Sequence, residues 1–312
     1  MYDTVIIGGG VTGFAAAMYA GRLKMRTLVI GETMGGTITL TNVVENYPGF
    51  KSISGLELAQ RLEEHAKDYD IDVVQGRVIK VERPDETCLK VSTKDEEYMT
   101  KTVIFATGTK HRKLEVPGAE EFENKGVHYC ALCDGPFYKD KVVGVVGGSD
   151  SAAKEALLLA DHAEKVYIIY RGDKIRPEPI NARRIEENPK IEVITNTNVM
   201  EIKGDATVNK VIFDREYEGS KEFPLDGLFI AIGLIPLSDL AKDLGVKTNE
   251  RGEIAIDRDS KTNLDGVYAA GDIADRRFKQ AITGVAEGVV AAYSAYQYVN
   301  EKEVVWPCGD EG

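Results

Sequence analysis

The chain has 312 residues, of which 43% are hydrophobic and 29% charged, and it carries a formal net charge of −12. These values are typical of a soluble globular protein of two or three domains, and the acidic balance disfavours nucleic-acid binding because phosphates would be repelled. Four cysteines are too few for a disulfide-built secreted scaffold, and no apolar run is long enough to cross a bilayer, so we expect a cytoplasmic protein without membrane association.

The first segment has the pattern of a strand, a glycine-rich turn, a helix and a second strand. Apolar residues 5–7 lead directly into Gly8, Gly10 and Gly13, and an alanine-rich stretch and a second apolar run follow within residues 14–30. In this context the glycines permit a tight turn and a close approach to a pyrophosphate, which the N-terminus of the helix then faces. The segment therefore predicts a dinucleotide-binding βαβ unit.

The same pattern recurs in mid-chain, with strands predicted at residues 142–146 and 165–169. The turn between them contains Gly147, Ser149 and Ala152, so serine stands where the middle glycine would make room for a phosphate. Serine is small and its hydroxyl can bond a phosphate, so binding is retained as an expectation. The predicted fold class is α/β, with two three-layer Rossmann-like domains.

Matching Gly8 to Gly147 aligns Glu32 with Arg171, each just past the second strand of its repeat, where the adenosine ribose is contacted. A carboxylate there suits the free 2′-hydroxyl of FAD or NAD, and an arginine suits the 2′-phosphate of NADPH. The alternative is that both are ordinary surface charges at strand ends.

Cys130 and Cys133 have the Cys-x-x-Cys spacing of a reversible disulfide, and Asp134 follows directly. A helix N-terminus at this point would favour a thiolate, and the carboxyl group could protonate a departing thiolate. The alternatives are half of a zinc site or two core thiols. Zinc would require a second ligand pair, which neither the histidines nor the other cysteines provide at suitable spacing, so no metal is expected.

Gly271 and Asp272 follow a buried strand near the C-terminus, which places a carboxylate at the sheet edge where ligands bind in α/β folds. The predicted role is a hydrogen bond to the ribityl chain or a hydroxyl of a flavin, and the alternative is an ordinary turn aspartate. Trp306 and Cys308 lie in a terminal tail, where packing and a stray thiol are the favoured interpretations.

Together these residues resemble the low-molecular-weight thioredoxin reductases over about residues 2–299, with the motifs in the family's order. Residues 35–38, 45–49, 106–108 and 280–283 are similar to the family's flavin-contacting segments, with Thr37 replacing the usual glutamine. The resemblance implies FAD binding by Gly8, Gly10, Gly13, Glu32, Gly35, Gly36, Asn46, Ala106, Thr107, Gly108, Gly271, Asp272, Gln280, Ala281 and Ile282.

The resemblance also implies a second nucleotide site, for NADPH or NADH, formed by Gly147, Ser149, Asp150, Ser151, Arg171 and Arg176. The departures from the family cluster there. Ser149 replaces a glycine, and Gly172 replaces the middle arginine of the family's 2′-phosphate motif. Some relatives take electrons from reduced ferredoxin or a deazaflavin instead, and this donor is an alternative for the chain.

The implied organisation is a FAD domain of residues 1–115 and 243–312, with a NAD(P)H domain of residues 116–242 inserted into it and carrying the cysteine pair. The family likeness implies a homodimer, a domain rotation in each cycle, and electron flow to thioredoxin or a thioredoxin-like protein. Cys133 would face the flavin, Cys130 would attack the partner disulfide, and Asp134 would act as general acid. A flavin-bound redox sensor without turnover is the remaining alternative.

Overall fold

The structure is a computed structural model that describes residues 1–85 and 87–301. These residues form two compact units. The first contains Met1–Lys110 and the described residues from Ile235 onward, and the second contains His111–Leu234. Within the described chain, no helix is both long and apolar enough to cross a membrane. Trp306 and Cys308 lie outside the described residues.

The elements are named in chain order. The strands are β1 Tyr2–Ile7, β2 Thr27–Gly31, β3 Ile71–Gln75, β4 Lys80–Glu82, β5 Leu89–Ser92, β6 Glu97–Phe105, β7 Thr109–His111, β8 Val127–His128, β9 Val142–Val146, β10 Lys165–Ile169, β11 Ile191–Ile194, β12 Val199–Gly204, β13 Val208–Tyr217, β14 Ser220–Pro224, β15 Gly227–Ile230, β16 Leu234–Pro236 and β17 Val267–Ala269. The α-helices are α1 Val11–Arg22, α2 Gly55–Lys67, α3 Ala131–Asp134, α4 Asp150–Ala160, α5 Pro179–Glu186, α6 Asp239–Asp243 and α7 Ala281–Glu301. Short 3₁₀ helices span Gly36–Leu40, Gly135–Tyr138 and Gly271–Ile273.

The first unit is built on a parallel sheet in the order β3-β2-β1-β6, with β17 pairing the end of β6. β6 is nine residues long, so its beginning also pairs antiparallel with β5, and β5 with β4. The central strands are apolar on both faces because helices cover one side and further chain covers the other. The carboxyl ends of β1, β6 and β17 therefore meet at one edge.

Helices α1 and α7 pack together closely on one face of this sheet. A Cβ atom at Gly288 would lie only 2.4 Å from the carbonyl oxygen of Thr12, so this approach requires glycine. The fully buried Ala16, Ala291 and Ala295 extend the small-residue contact. The packing holds the beginning of α7 beside the glycine-rich turn that starts α1.

The second unit repeats this plan with the parallel order β11-β10-β9-β15-β8 and a separate antiparallel sheet β12-β13-β14. Apolar cores lie on both faces of its parallel sheet. The parallel sheets of the two units have the same strand order. This confirms the predicted α/β fold class with two Rossmann-like folds.

Candidate active site

Cys130 and Cys133 form a disulfide in the second unit, as the Cys-x-x-Cys spacing suggests. Cys130 is the extended residue before α3, and its Sγ accepts a hydrogen bond from the Cys133 backbone N–H at 3.1 Å. A backbone donor directed at sulfur favours the thiolate form after reduction. Cys130 is buried in this oxidised arrangement, whereas Cys133 is exposed.

Asp134 ends α3 and lies against a buried histidine that the sequence interpretation did not assign to the site. His128 Nδ1 is 3.3 Å from Asp134 Oδ2, and His128 Nε2 is 2.7 Å from the Tyr138 hydroxyl oxygen. Burial lowers the pKa of His128, although the carboxylate of Asp134 acts in the opposite direction. A histidine two residues before a reactive cysteine, in a strand, is a signal that could have suggested the contact.

Glu155 is a second carboxyl group at the cysteine turn. Its Oε2 accepts a 2.5 Å hydrogen bond from the backbone N–H of Ala131, the residue that follows Cys130. Burial raises the pKa of Glu155 to about 7, the Ala131 N–H opposes this shift, and the charge of Asp134 adds to it. Glu155 lies on α4, far along the chain from the cysteines, so no local sequence pattern predicts it.

The glycine-rich turn of the first unit leaves no room for side chains at Gly8 and Gly13. Gly8 has φ of +123°, and a Cβ there would lie 2.2 Å from the carbonyl oxygen of Ala106. A Cβ at Gly13 would lie 1.8 Å from the carbonyl oxygen of Gly8. Gly10 precedes α1 in an extended conformation, and no side chain caps the helix there. The first N–H groups of α1 are thus available for a pyrophosphate, which fits a flavin dinucleotide.

Two other predicted flavin segments meet this turn. Gly35 donates its N–H to the carbonyl oxygen of Gly9 at 2.8 Å and forms a β-bridge with Gly10. Asn46 Nδ2 donates to Gln280 Oε1 at 2.9 Å, which joins residues 234 positions apart. The structure therefore brings the predicted segments at residues 35–36 close to the turn and links residue 46 to the start of α7.

The C-terminal motif closes the same edge of the sheet. A Cβ at Gly271 would lie 2.6 Å from Thr12 Oγ1, so this glycine packs on the first turn of α1. Its N–H donates to Glu287 Oε2 at 3.0 Å, and Arg276 pairs with that carboxylate at 2.8 Å. Burial raises the pKa of Asp272, and Lys279 opposes the shift. The sequence did not indicate the roles of Glu287 and Arg276.

The remaining predicted flavin residues lie at the ends of elements. Glu32 follows β2 with its side chain 68% exposed and 4.0 Å from Arg77. Thr107 Oγ1 donates to the carbonyl oxygen of Leu237 at 2.9 Å, and Gly108 follows it. Ala281 and Ile282 begin α7.

The turn of the second unit has a similar backbone but carries a side chain at its third position. A Cβ at Gly147 would lie 2.3 Å from the carbonyl oxygen of Ala231, and Ser149 precedes α4 without capping it. Asp150 Oδ1 accepts from Glu178 N and Asn181 Nδ2, both at 2.8 Å. Burial raises the pKa of Asp150, but hydrogen bonds from Asn181 and Lys154 outweigh it, so the pKa is lowered. Ser151 is exposed on the first turn of α4.

An aromatic ring covers this second turn. Cβ atoms at Gly148 and Gly172 would lie 2.4 Å and 2.6 Å from atoms of the Tyr170 ring, so both glycines leave room for it. Arg176 donates its backbone N–H to the carbonyl oxygen of Gly148 at 2.7 Å, which brings the segment after β10 back to the turn. Arg171 and Arg176 are exposed. Across both units, the described residues contain no cluster of three side chains arranged to hold a metal ion.

Comparison with known proteins gives consistent matches along the chain. The sequence pattern of the pyridine nucleotide-disulphide oxidoreductase family matches residues 2–288. A thioredoxin reductase of Bacillus subtilis (strain 168) is 39% identical over 305 residues, covering 96% of each chain.

Solved structures match over similar lengths. Lactococcus lactis thioredoxin reductase in its FR conformation matches with a TM-score of 0.93 and 40% identity, covering 97% of this chain and 100% of that chain. A ferredoxin-flavin thioredoxin reductase from Clostridium acetobutylicum matches with a TM-score of 0.52 and 32% identity, covering 96% of this chain and 99% of that one.

Proposed function

Because the chain belongs to the pyridine nucleotide-disulphide oxidoreductase family, we propose that it is a thioredoxin-disulfide reductase that uses NAD(P)H, FAD and the Cys130–Cys133 disulfide. The observation that carries this proposal is the disulfide at the start of α3, with Asp134 beside it, in a chain whose other unit has a complete dinucleotide turn. FAD is assigned to the first unit and NAD(P)H to the second. The protein partner is thioredoxin or a thioredoxin-like protein.

The flavin is assigned to the predicted residues around the first turn. Gly8, Gly10 and Gly13 with the N-terminus of α1 would hold its pyrophosphate, and Glu32 its adenosine ribose. Asp272 would bond the ribityl chain or a hydroxyl group. A bound flavin supplies two-electron transfer between a nicotinamide and a disulfide.

The two cysteines then carry out thiol–disulfide exchange with thioredoxin. After two electrons and a proton have opened the disulfide, the Cys130 thiolate attacks the thioredoxin disulfide, forms a mixed disulfide and releases one partner thiolate. Asp134 protonates that leaving sulfur. Asp134, ionised by that step, takes the proton of the Cys133 thiol, and the Cys133 thiolate attacks Cys130 Sγ, which restores the enzyme disulfide. The departing partner thiolate takes this proton from Asp134, and a proton from solvent restores the acid.

A Cys133→Ser enzyme tests this assignment. Turnover of thioredoxin is expected to stop, because the serine hydroxyl cannot resolve the mixed disulfide. Undiminished turnover would contradict the proposal. A sustained multiple turnover by the native enzyme also excludes a flavin-bound sensor that does not turn over.

The electron donor is proposed to be NADPH or NADH. The two arginines at positions 171 and 176 support a nucleotide site, while Ser149 and the Tyr170 ring add side-chain atoms at its turn and Gly172 leaves it without the middle arginine of the family's motif. Rapid mixing of the oxidised holoenzyme with each nucleotide decides the question. Bleaching of the flavin by either supports NAD(P)H, and bleaching by neither favours reduced ferredoxin or a deazaflavin.

The proposed assembly and location follow the family resemblance. We place the protein in the cytoplasm as a homodimer, with the nucleotide domain at about residues 116–242. The sedimentation velocity of the holoenzyme tests the assembly, and a monomer at micromolar concentration would contradict it.

A further inference from the structure

His128 is enclosed beside the cysteine turn without a part in the mechanism above. It lies at the end of β8, two residues before Cys130, and is 7% exposed. Its ring centroid is 5.3 Å from that of Phe229 and 5.4 Å from that of Tyr138. A polar ring buried among aromatic groups costs stability unless its nitrogen atoms have partners, so both contacts of His128 need an explanation.

Tyr138 holds one side of the ring. Its hydroxyl oxygen is 2.7 Å from His128 Nε2, and burial first of all raises the pKa of Tyr138 to about 12, so the hydroxyl keeps its proton. A Cβ at Gly227 would lie 2.3 Å from Tyr138 Cε1, so β15 begins with the residue that leaves room for this ring. Because Nδ1 faces a carboxyl oxygen of Asp134, the favoured arrangement has the tyrosine donating to Nε2 and the proton of the neutral imidazole on Nδ1.

Asp134 lies on the other side of the ring. Nδ1 is buried and 3.3 Å from Asp134 Oδ2, and no aligned hydrogen bond joins them within the described chain. The Asp134 side chain is 29% exposed against 8% for His128, so the carboxyl group is the partner that can rotate into line. Such contacts are often poorly aligned before substrate binds.

The charges around this contact favour a neutral donor. Burial lowers the pKa of His128 despite the Asp134 carboxylate, so the imidazole is uncharged at neutral pH. The groups that face it are Asp134 and Tyr138, and Glu155 faces Asp134 from α4. His128 therefore offers Asp134 one directed N–H and not a positive charge.

We propose that His128 is a positioning residue, which is held by Tyr138 and donates Nδ1–H to Asp134 Oδ2. The exchangeable carboxyl proton is thereby kept on Oδ1, the oxygen left to serve the sulfur atoms during thiol–disulfide exchange. This inference rests on the proposed role of Asp134 as general acid.

Two substitutions of His128 test the contacts of its two ring nitrogens separately. In His128→Asn the amide nitrogen replaces Nδ1, and in His128→Gln it replaces Nε2. We expect kcat with thioredoxin to fall about tenfold in the Gln enzyme, with KM unchanged, and to stay within about threefold in the Asn enzyme. This split between the two enzymes is the readout that a general loss of packing would not produce, because only the Gln enzyme loses the donor to Asp134.

Asp134→Asn and Tyr138→Phe complete the test. An Asp134→Asn enzyme with an unchanged kcat overturns both the proposed general acid and this inference. A changed Asp134→Asn enzyme beside an unchanged His128→Gln enzyme overturns the inference alone, as does equal loss in the Asn and Gln enzymes. Should the Gln enzyme lose flavin or fail to fold, Tyr138→Phe removes one hydroxyl only, and it should lower kcat about threefold with KM unchanged.

Discussion

The two glycine-rich turns of the molecule have similar backbones and differ in their side chains. At the first glycine of each, a Cβ would lie on a carbonyl oxygen of the adjoining strand end, at 2.2 Å for Gly8 and 2.3 Å for Gly147. The third position of the pattern is Gly10 in the first unit and Ser149 in the second. A glycine is thus kept in both turns at the first position, where a side chain would meet backbone, whereas the third position, where a side chain at Gly10 would meet nothing closer than 3.8 Å, has become serine in the second unit.

The helices that follow the two turns also differ in their side chains. At matching positions, the first helix carries the fully buried Ala16, whereas the second helix carries Glu155. Ala16 packs on Gly288 of α7, and Glu155 binds the backbone at the cysteine pair. One fold therefore uses this position for packing and the other uses it to place a titratable group beside a disulfide.

The largest expected effect comes from the last residue of each pattern. A methyl group at Gly13 would lie 1.8 Å from the Gly8 carbonyl oxygen, so Gly13→Ala should cost about 3 kcal/mol and abolish stable flavin binding. The matched change, Ala152→Gly, should cost about 1 kcal/mol. Flavin absorbance and thermal unfolding measure both. Retention of flavin by the Gly13→Ala enzyme would contradict the expected clash at this position.

The middle position should separate ligand binding from stability. A Cβ at Gly10 meets nothing closer than Gly36 Cα at 3.8 Å, so Gly10→Ser should leave thermal stability within about 0.5 kcal/mol. The affinity for FAD should fall about 100-fold, because the hydroxymethyl group takes space needed by phosphate.

The reciprocal Ser149→Gly is the control for that change. It should tighten NAD(P)H binding without loss of stability beyond a few tenths of a kcal/mol, because Ser149 makes no capping hydrogen bond. Titration calorimetry measures both affinities. Weaker nucleotide binding in Ser149→Gly would contradict the comparison.

Arg171 tests the adenosine end of the second site. If it contacts a 2′-phosphate, Arg171→Gln should raise KM for NADPH about tenfold and change KM for NADH little. In Arg171→Lys, which keeps the charge, the KM for NADPH should lie between those of the native and Arg171→Gln enzymes. Equal changes for both nucleotides would assign Arg171 to the surface.

The smallest effect concerns Glu155. Its folded pKa, about 7, lies above the ordinary 4.5, so the folded protein holds the extra proton and loses stability as pH rises through this window. Glu155→Gln removes that penalty. Urea unfolding should show the variant more stable than the native protein by about 1 kcal/mol at about pH 8, with the difference shrinking toward about pH 4.5. A constant difference across this range would mean that Glu155 is not the titrating group.

The sequence predicts the parallel strands well and the helix starts less well. Strands were expected at residues 142–146 and 165–169, where β9 and β10 lie. The alanine-rich stretches at residues 14–23 and 153–160 predict the two helices that follow the turns, but α1 and α4 begin earlier, at Val11 and Asp150. The reason is that the turn motif itself forms the first helical turn, after an extended residue that starts the helix.

Local motifs predicted candidate residues, but long-range contacts could not be inferred from them. Asn46 and Gln280 were each expected near the flavin, yet the hydrogen bond between them depends on how the two ends of the chain pack. Glu155 is near Cys130 only because α4 packs against α3. Periodicity and motif spacing carry no information of this kind.

The central claim is that the pair at positions 130 and 133 transfers electrons to thioredoxin through a mixed disulfide. The direct measurement mixes the reduced Cys133→Ser holoenzyme with oxidised thioredoxin and locates the trapped disulfide by peptide mass spectrometry. The account predicts a stable adduct through Cys130, which must become accessible from its buried position in the oxidised form. No adduct with Cys133→Ser, together with one through Cys133 in the Cys130→Ser enzyme, would contradict it.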